Sequence, residues 1–331
     1  MLAGVDLADV LDSAVPFALP LRRRFRGVDV REGVLIQGPS GWGEFAPFDD
    51  YPTEAAARWL ASAVEAAFGE WPQARRERVE VNAIIPEVAS GDAVRLTREA
   101  VLGRGCRTVK VKVGSPDPAD DEERVAGVRD VLDTVLGPGN GELRIDANGA
   151  WTVEQGRRVL QRLSAFGLQY VEQPCGSAEE MRELRRQVDV PFAADESIRT
   201  AADPGAVPVR EIADVAVLKA APLGGAGALV GLAESLDVPV VVSGSLDSSV
   251  GLGASLAAAA ALDELPYACG LGTGALLAAD LADPVLPANG TLPVARTAPD
   301  LDLLLAARDR LSHERAAWWR QRLAAAWGVE G

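Results

Sequence analysis

Short apolar runs rich in β-branched residues alternate with helix-like stretches from about Val79 onward. Eight such runs follow one another, and they read V-E-V-N-A-I-I, T-V-K-V-K-V, E-L-R-I-D, Q-Y-V-E, V-P-F-A-A, D-V-A-V-L-K, V-P-V-V-V-S and Y-A-C-G-L. Helical patterns lie between them, for example over residues 119–136, 152–166, 178–187 and 225–236. Strands and helices that alternate eight times predict an α/β fold built around a parallel barrel.

An open, doubly wound parallel sheet is the alternative to a barrel. That fold would carry a glycine-rich phosphate-binding turn directly after its first strand. The sequence has Ile84-Ile85-Pro86-Glu87 at this position, so the barrel is favoured.

The two ends of the chain differ from this regular pattern. Residues 1–76 predict an α+β unit with strands at 15–21 and 33–37, an arginine-rich turn after the first strand, and a helix over 53–68 with Thr53 as its N-cap. From about Asp283, proline and glycine turns lead to a last helix that contains Trp318, Trp319 and Trp327. We expect these tryptophans to pack back onto the amino-terminal unit.

Charge, hydropathy and cysteine content exclude several classes of partner and cellular location. The 331-residue chain has a net charge of −15, which argues against nucleic acid or an anionic membrane as a partner. It has neither an apolar run of the roughly 18 residues that span a membrane nor a signal-peptide start. Its three cysteines contain no C-x-x-C pair, so no disulfide framework is predicted and a cytoplasmic location is expected.

Histidine and lysine are unusually scarce. His313 is the only histidine and lies in a helix-like, arginine-rich stretch, which argues against a serine–histidine triad or a histidine-ligated zinc site. The lysines are Lys110, Lys112 and Lys219, whereas all the other basic side chains are arginine. Arginine keeps its proton in proteins, but a lysine with a lowered pKa can act as a base. The three amines therefore point to proton transfer.

Polar residues stand at the carboxyl ends of six consecutive predicted strands, namely Lys110, Lys112, Asp146, Asn148, Glu172, Asp195, Glu196, Lys219, Ser243 and Ser245. In a barrel these ends lie on one face, where active sites are built. Asp146, Glu172 and Asp195 then lie side by side and would repel one another without a cation, and all-oxygen ligands suit Mg²⁺. Lys110 and Lys112 share one face of their strand, and Lys219 lies across the barrel mouth. Neighbouring cations should lower the pKa of an amine, which would then remove a proton from a carbon next to a carboxylate.

This order of residues resembles the enolase superfamily, and within it the subgroup of muconate-lactonizing enzymes. K-V-K, the three acids and the later lysine match that pattern residue by residue, and further likeness lies in P-L-R-R-R-F-R-G-V, G-W-G-E-F-A-P-F, S-G-S-L-D-S-S-V-G and A-C-G-L-G-T. The resemblance implies a (β/α)7β TIM-like barrel over residues 77–282. It also implies an α+β capping domain formed by residues 1–76 and completed by 283–331.

The resemblance also implies a reaction. Active sites of this superfamily are known to combine a lysine base with Mg²⁺. A carbon–oxygen lyase would dehydrate 2-succinyl-6-hydroxy-2,4-cyclohexadiene-1-carboxylate to o-succinylbenzoate in menaquinone biosynthesis. Lys112 would be the base, Lys110 would orient the substrate carboxylate, and Lys219 would stay cationic over the ring. Mg²⁺, or Mn²⁺ in its place, would bind Asp146, Glu172 and Asp195 and stabilise the enediolate.

Substrate contacts and a lid follow from the same resemblance. Asn148, Ser243 and Gly244 would contact the substrate, the last two at its succinyl end, and residues 22–26 would close over the site. Asp247 departs from the pattern, because relatives often carry glutamate there.

Two other functions stay open at this point. An N-succinylamino-acid racemase would use Lys112 and Lys219 as two bases on opposite faces of its substrate. A barrel-shaped binding protein without activity would show a broken set of polar residues, and here the set is complete. The expected partner is a small anionic substrate, with no nucleic acid and no membrane, and both a monomer and a larger assembly are open.

Overall fold

The computed structural model describes residues 4–330 and contains three sheets. The amino-terminal region opens with a helix, forms a three-stranded antiparallel sheet and ends with a long helix. These elements are α1 (Leu7–Ser13), β1 (Val15–Phe25), β2 (Val28–Gly38), β3 (Gly41–Phe45) and α2 (Thr53–Phe68). Nine of the sixteen residues of α2 are buried, which fixes this helix against the sheet and the rest of the chain.

Two predictions for this region are wrong in detail. Arg22, Arg23 and Arg24 do not form a turn, because β1 runs on to Phe25 and the chain reverses at Arg26 and Gly27, both with positive φ. The predicted N-cap Thr53 is the first helical residue, and Pro52 takes the cap position without a side-chain hydrogen bond.

The barrel contains a seven-stranded parallel sheet with α-helices between its strands. Its strands are β5 (Ala83–Ile85), β6 (Thr108–Lys112), β7 (Glu142–Asp146), β8 (Leu168–Glu172), β9 (Phe192–Ala194), β10 (Val215–Leu218) and β11 (Val240–Val242), preceded by the short outer strand β4 (Arg78–Glu80). Its helices are α3 (Ser90–Arg98, extended by a π-helical turn Glu99–Gly103), α4 (Pro118–Leu136), α5 (Val153–Leu163), α6 (Ala178–Arg185), α7 (Glu196–Arg199), α8 (Val209–Ile212), α9 (Ala220–Leu223), α10 (Ala226–Ser235) and α11 (Leu252–Ala261).

The eighth predicted strand, Y-A-C-G-L, is reduced to isolated bridges. Cys269 pairs with Val81 on one side, and Gly270 pairs with Ser243 on the other. These parallel bridges join the two edges of the sheet and close the ring. The first predicted strand is also split, since β4 leaves the barrel and pairs antiparallel with β12 (Thr291–Pro293).

Side chains fill the interior of the barrel at the level that lies two residues before the carboxyl ends of the strands. Strand side chains alternate in direction, and the inward residues here include Tyr170, Val215, Val217 and Val241, which form a small buried core. Arg144 is fully buried beside them, with its guanidinium carbon 4.7 Å from the Tyr170 ring centroid. The outward residues pack against the helices in the largest core of the protein. This filling makes the barrel a solid base with an open upper face.

The carboxyl-terminal region returns to the amino-terminal sheet. It contains α12 (Leu301–Arg308) and α13 (His313–Glu330), and α13 packs against α2. Trp319 is buried there, 6.1 Å from Phe45 in an edge-to-face arrangement, and Trp327 packs against the same cluster. The prediction that these tryptophans form an interface is confirmed, and His313 is exposed at the start of its helix as expected. No helix among residues 4–330 is long and apolar enough to cross a membrane.

Candidate active site

Strand register brings the predicted acids and amines into one row at the barrel mouth. Lys112 of β6 lies opposite Asp146 of β7, and Asp146 lies opposite Glu172 of β8. All three therefore project from the same level of the sheet. Lys110 lies two residues below Lys112 and shares its inward direction.

The lysines are paired with the carboxylates. Lys110 Nζ lies 2.7 Å from Glu172 and 3.1 Å from Asp146, and Lys112 Nζ lies 2.6 Å from Asp146. On the other side of the mouth, Lys219 Nζ contacts Asp195. The six side chains form two adjoining groups of paired charges at the mouth of the barrel.

Burial and neighbouring charges move the pKa values in different directions. Burial and the negative charge of Asp146 raise the pKa of Glu172 to about 7, because they outweigh the attraction of Lys110. Burial alone would favour the neutral form of Lys110, but Glu172 and Asp146 outweigh it and raise its pKa. Burial lowers the pKa of Lys219, with Arg199 acting in the same sense against Asp195. The lowered amine pKa expected from the sequence is thus found for Lys219, and the opposite is found for Lys110.

The donor set at the mouth fits a hard divalent cation. Asp146, Glu172 and Asp195 are each 1% exposed and offer only oxygen atoms. Burial first, and then the negative charge of Asp146, raise the pKa of Glu172, and a bound cation would oppose both effects. As the side chains are placed, no three His, Cys, Asp or Glu residues within 4–330 stand together at metal-ligand spacing, and the carboxylates turn to the lysines instead.

Two residues that the sequence analysis did not single out support Asp195. Arg199, one turn further along α7, donates to Asp195 at 3.0 Å and also contacts Tyr51 from the amino-terminal region. Gln173 directly follows Glu172, is fully buried and has a φ of 40°. Its amide oxygen accepts from the backbone N–H of Asp195 at 3.1 Å, so it ties β8 to the end of β9. The Y-V-E-Q-P run already contained this signal, since a buried glutamine needs partners.

Asn148 is positioned by the acid that precedes it. Its backbone N–H donates to Asp146 at 3.0 Å, its φ is 47°, and its side-chain oxygen accepts from Lys112 Nζ at 2.6 Å. Its amide nitrogen donates to Glu196 at 3.1 Å. Asn148 and Asp146 therefore both accept from the amine of Lys112.

The loop that follows β11, residues 243–249, forms the far wall of the pocket and is held by amino-terminal residues. Leu246 is buried with a φ of 65°, a conformation unfavourable for a leucine. Buried Arg31 of β2 donates from Nε to the Leu246 carbonyl at 3.1 Å. Glu44 of β3 accepts from the backbone N–H of Ser248 at 3.2 Å and from its hydroxyl. The G-W-G-E run thus supplies a carboxylate that shapes the pocket without lying in it.

A single pocket collects these groups. Its lining comprises Phe25, Arg26, Asn82, Ile84, Lys110, Lys112, Asp146, Asn148, Glu172, Lys219, Ser243, Gly244, Ser245, Leu246, Gly270, Gly272 and Thr273. Phe25 and Arg26 come from the tip of the β1–β2 hairpin, and the Phe25 ring centroid lies 5.5 Å from Lys112 Nζ. All the predicted catalytic, metal-binding and substrate-binding residues line this pocket except Asp195. Asp195 lies just behind the lining, where it contacts Lys219.

Comparison with known proteins identifies the family. Residues 92–321 match the family described as enolase C-terminal domain-like, and residues 16–67 match the family described as enolase N-terminal domain-like. The chain belongs to the enolase superfamily, as the sequence resemblance implied.

Individual curated relatives and solved structures show further likenesses. The chain is 49% identical over 327 residues to the o-succinylbenzoate synthase of Mycobacterium ulcerans, covering 96% of this chain and 94% of the relative. It is 48% identical to the o-succinylbenzoate synthase of Mycobacterium leprae, covering 96% and 92%. The structure resembles the muconate lactonizing enzyme of Pseudomonas putida with a TM-score of 0.71 at 21% identity, covering 89% of this chain and 98% of the other. This last likeness confirms the barrel with its capping domain.

Proposed function

We propose that the protein is a carbon–oxygen lyase that dehydrates 2-succinyl-6-hydroxy-2,4-cyclohexadiene-1-carboxylate to o-succinylbenzoate and water. Relatives that share 49% identity over nearly the whole chain carry the name of this synthase. The observation that carries the proposal is the pocket itself, which is lined by three lysines and by Asp146 and Glu172, with Asp195 in contact with Lys219 just behind the lining. Such a site suits removal of a proton from a carbon next to a carboxylate.

Lys112 has the better position for the base. Its amine reaches the pocket between Asp146 and Asn148, and Asn148 offers it an acceptor that holds its direction. The neutral amine would take the proton from the carbon that bears the substrate carboxylate. The resulting ammonium would return a proton to the departing hydroxyl, so that water leaves and the ring becomes aromatic.

Lys219 and Lys110 would act as cations. Lys219 approaches from β10, across the mouth from β6, where its charge would lie over the face of the ring. Lys110 sits below Lys112 and would attract the carboxylate next to the reacting carbon.

A divalent metal ion fits the three acids, and we propose Mg²⁺. Asp146, Glu172 and Asp195 would hold it, and it would supply positive charge for the oxygen anion that develops when the proton is removed. Arg199 and Gln173 would keep Asp195 in place for this role.

The test is an ultraviolet assay of aromatisation with purified protein, the cyclohexadiene substrate and Mg²⁺. We expect turnover to o-succinylbenzoate in the parent and its loss in Lys112→Ala. A companion measurement follows deuterium exchange of both enantiomers of an N-succinylamino acid in D₂O. Rapid exchange of both without aromatisation of the diene would replace the synthase by the racemase.

A further inference from the structure

The wall of the pocket beside the loop 243–249 contains a buried hydroxyl that has no partner within residues 4–330. Thr273 follows the position of the eighth strand and is 6% exposed. Within residues 4–330, no group donates to or accepts from its Oγ1 atom. Thr273 nevertheless lines the same pocket as the three lysines.

A buried hydroxyl without a partner is costly, by about 1–3 kcal/mol. Folded proteins therefore pair nearly all such groups. One that remains free at the wall of a binding pocket is available to a ligand, because the ligand can supply the missing acceptor.

The neighbouring hydroxyl is already engaged. Ser243 donates from Oγ to the carbonyl oxygen of Gly270 at 3.2 Å, a bond that helps close the barrel. The adjoining backbone is occupied too, since the N–H of Gly244 donates to Gly270 and that of Ser245 donates to Asp247. Among the hydroxyls that line the pocket within residues 4–330, Thr273 is thus the one that is buried and has no partner.

Gly244 leaves space beside this hydroxyl because it has no side chain. A Cβ atom at position 244 would lie 3.6 Å from Thr273 Oγ1 and 2.8 Å from an oxygen of Asp247. Any side chain at this position would crowd Asp247 and the Thr273 hydroxyl. The glycine therefore creates a gap at the point where the free hydroxyl lies.

We propose that Thr273 is a substrate-binding residue whose hydroxyl donates a hydrogen bond to an oxygen of the succinyl side chain. This inference rests on the proposed function, because it takes the substrate from there. The ring carboxylate must lie near Lys112 if that amine is to reach the adjacent carbon. The succinyl chain then extends toward the opposite wall, where Thr273 rather than Ser243 holds a free donor.

The test compares two probes by titration calorimetry. One probe is o-succinylbenzoate, and the other is 2-butylbenzoate, which has the same number of side-chain carbons but no side-chain oxygen. Thr273→Val removes the hydroxyl at nearly constant shape, and we expect it to weaken o-succinylbenzoate binding by about tenfold or more. It should change the affinity for 2-butylbenzoate by no more than about twofold, and Thr273→Ser should retain most of the parent affinity for both probes.

Two further variants serve as a control and as a substitute for Thr273→Val. Thr97→Val makes the same substitution at a buried threonine of α3 that bonds to Ala93, away from the pocket, and it should leave both affinities unchanged. Thr273→Ala repeats the loss of the hydroxyl if the valine variant does not fold. If Thr273→Val or Thr273→Ala weakens the binding of both probes equally, or weakens neither, the inference is overturned. The proposed function would remain intact in that case. A parent protein that neither binds o-succinylbenzoate nor aromatises the diene would overturn both.

Discussion

Glu44 should make the stability of the protein depend on pH near neutrality. Its carboxylate is buried between the amino-terminal sheet and the loop after β11, where it accepts from Ser248. Burial and the negative charge of Asp247 raise its pKa from 4.5 to about 7, against the opposing effects of Arg31 and Ser248. In the unfolded chain the same carboxyl titrates at its ordinary value.

The magnitude follows from the difference between the two states. A pKa that is higher in the folded protein favours folding when the group is protonated, so this contribution is complete below pH 4.5 and is lost as pH rises through 7. At 1.36 kcal/mol for each pKa unit, the full contribution is about 3 kcal/mol. Roughly 2 kcal/mol of it falls between pH 5.5 and 8.5.

Glu44→Gln should remove this dependence, because the amide stays neutral and can still accept from Ser248. The measurement is the free energy of unfolding in urea, for parent and variant, at several pH values from 5.5 to 8.5 and at constant Mg²⁺. We expect the stability of the variant relative to the parent to rise by about 2 kcal/mol across this range. Buried acids that do not interact with Glu44, such as Glu172, are common to both proteins and cancel in the difference.

The control is Glu54→Gln, which removes an exposed carboxylate at the start of α2 and should give a curve parallel to that of the parent. If Glu44→Gln also runs parallel to the parent, then Glu44 is ionised in the folded protein throughout and the reasoning from burial is wrong.

Three predictions concern the reaction itself and use the aromatisation assay. Lys112→Arg keeps the charge but cannot act as a base, so we expect kcat to fall at least about a hundredfold. Lys219→Ala should lose most of the activity while Lys219→Arg retains part of it, because a cation over a desolvated ring is worth on the order of 2 kcal/mol. Treatment with a chelator should abolish turnover, and Mg²⁺ or Mn²⁺ should restore it.

Each of these has a clear contrary result. A Lys112→Arg variant at near-parental rate would show that another group removes the proton. Equal damage from both Lys219 variants, together with rapid exchange of N-succinylamino acids, would indicate a second base. Full turnover after exhaustive removal of metal would exclude the metal site.

The strand ends were the most predictable part of the molecule. Alternation in V-K-V-K-V required Lys110 and Lys112 to share a face, and parallel neighbours required Asp146 and Glu172 to lie alongside them. These placements depend only on strand geometry and on the order of strands, so the sequence was sufficient. The roles of these residues, and the division of the chain near residues 76 and 283, remain predictions.

The elements that the sequence did not predict depend on contacts between distant segments. Arg31 and Glu44 reach the loop after β11 across more than 200 residues of sequence, and no local pattern specifies their partners. The eighth strand looked like the others, yet only two of its residues form bridges because the barrel closes there over a short length. The extension of β1 past Pro20 also depends on β2, because pairing resumes at Phe25 with Val28 after a register shift that spans the three arginines, and no local pattern predicts it.

The placement of every lysine in the pocket gives the protein an unusual chemical selectivity. Lys110 and Lys219 are 5% and 7% exposed, and the Lys112 side chain is 12% exposed, so the outer surface carries arginine as its basic side chain. Acylating reagents react with amines and leave guanidinium groups untouched. Apart from the terminal amine, covalent labelling with a reagent small enough to enter would therefore report directly on the pocket, and mass spectrometry could follow its occupancy by ligands without any engineered tag.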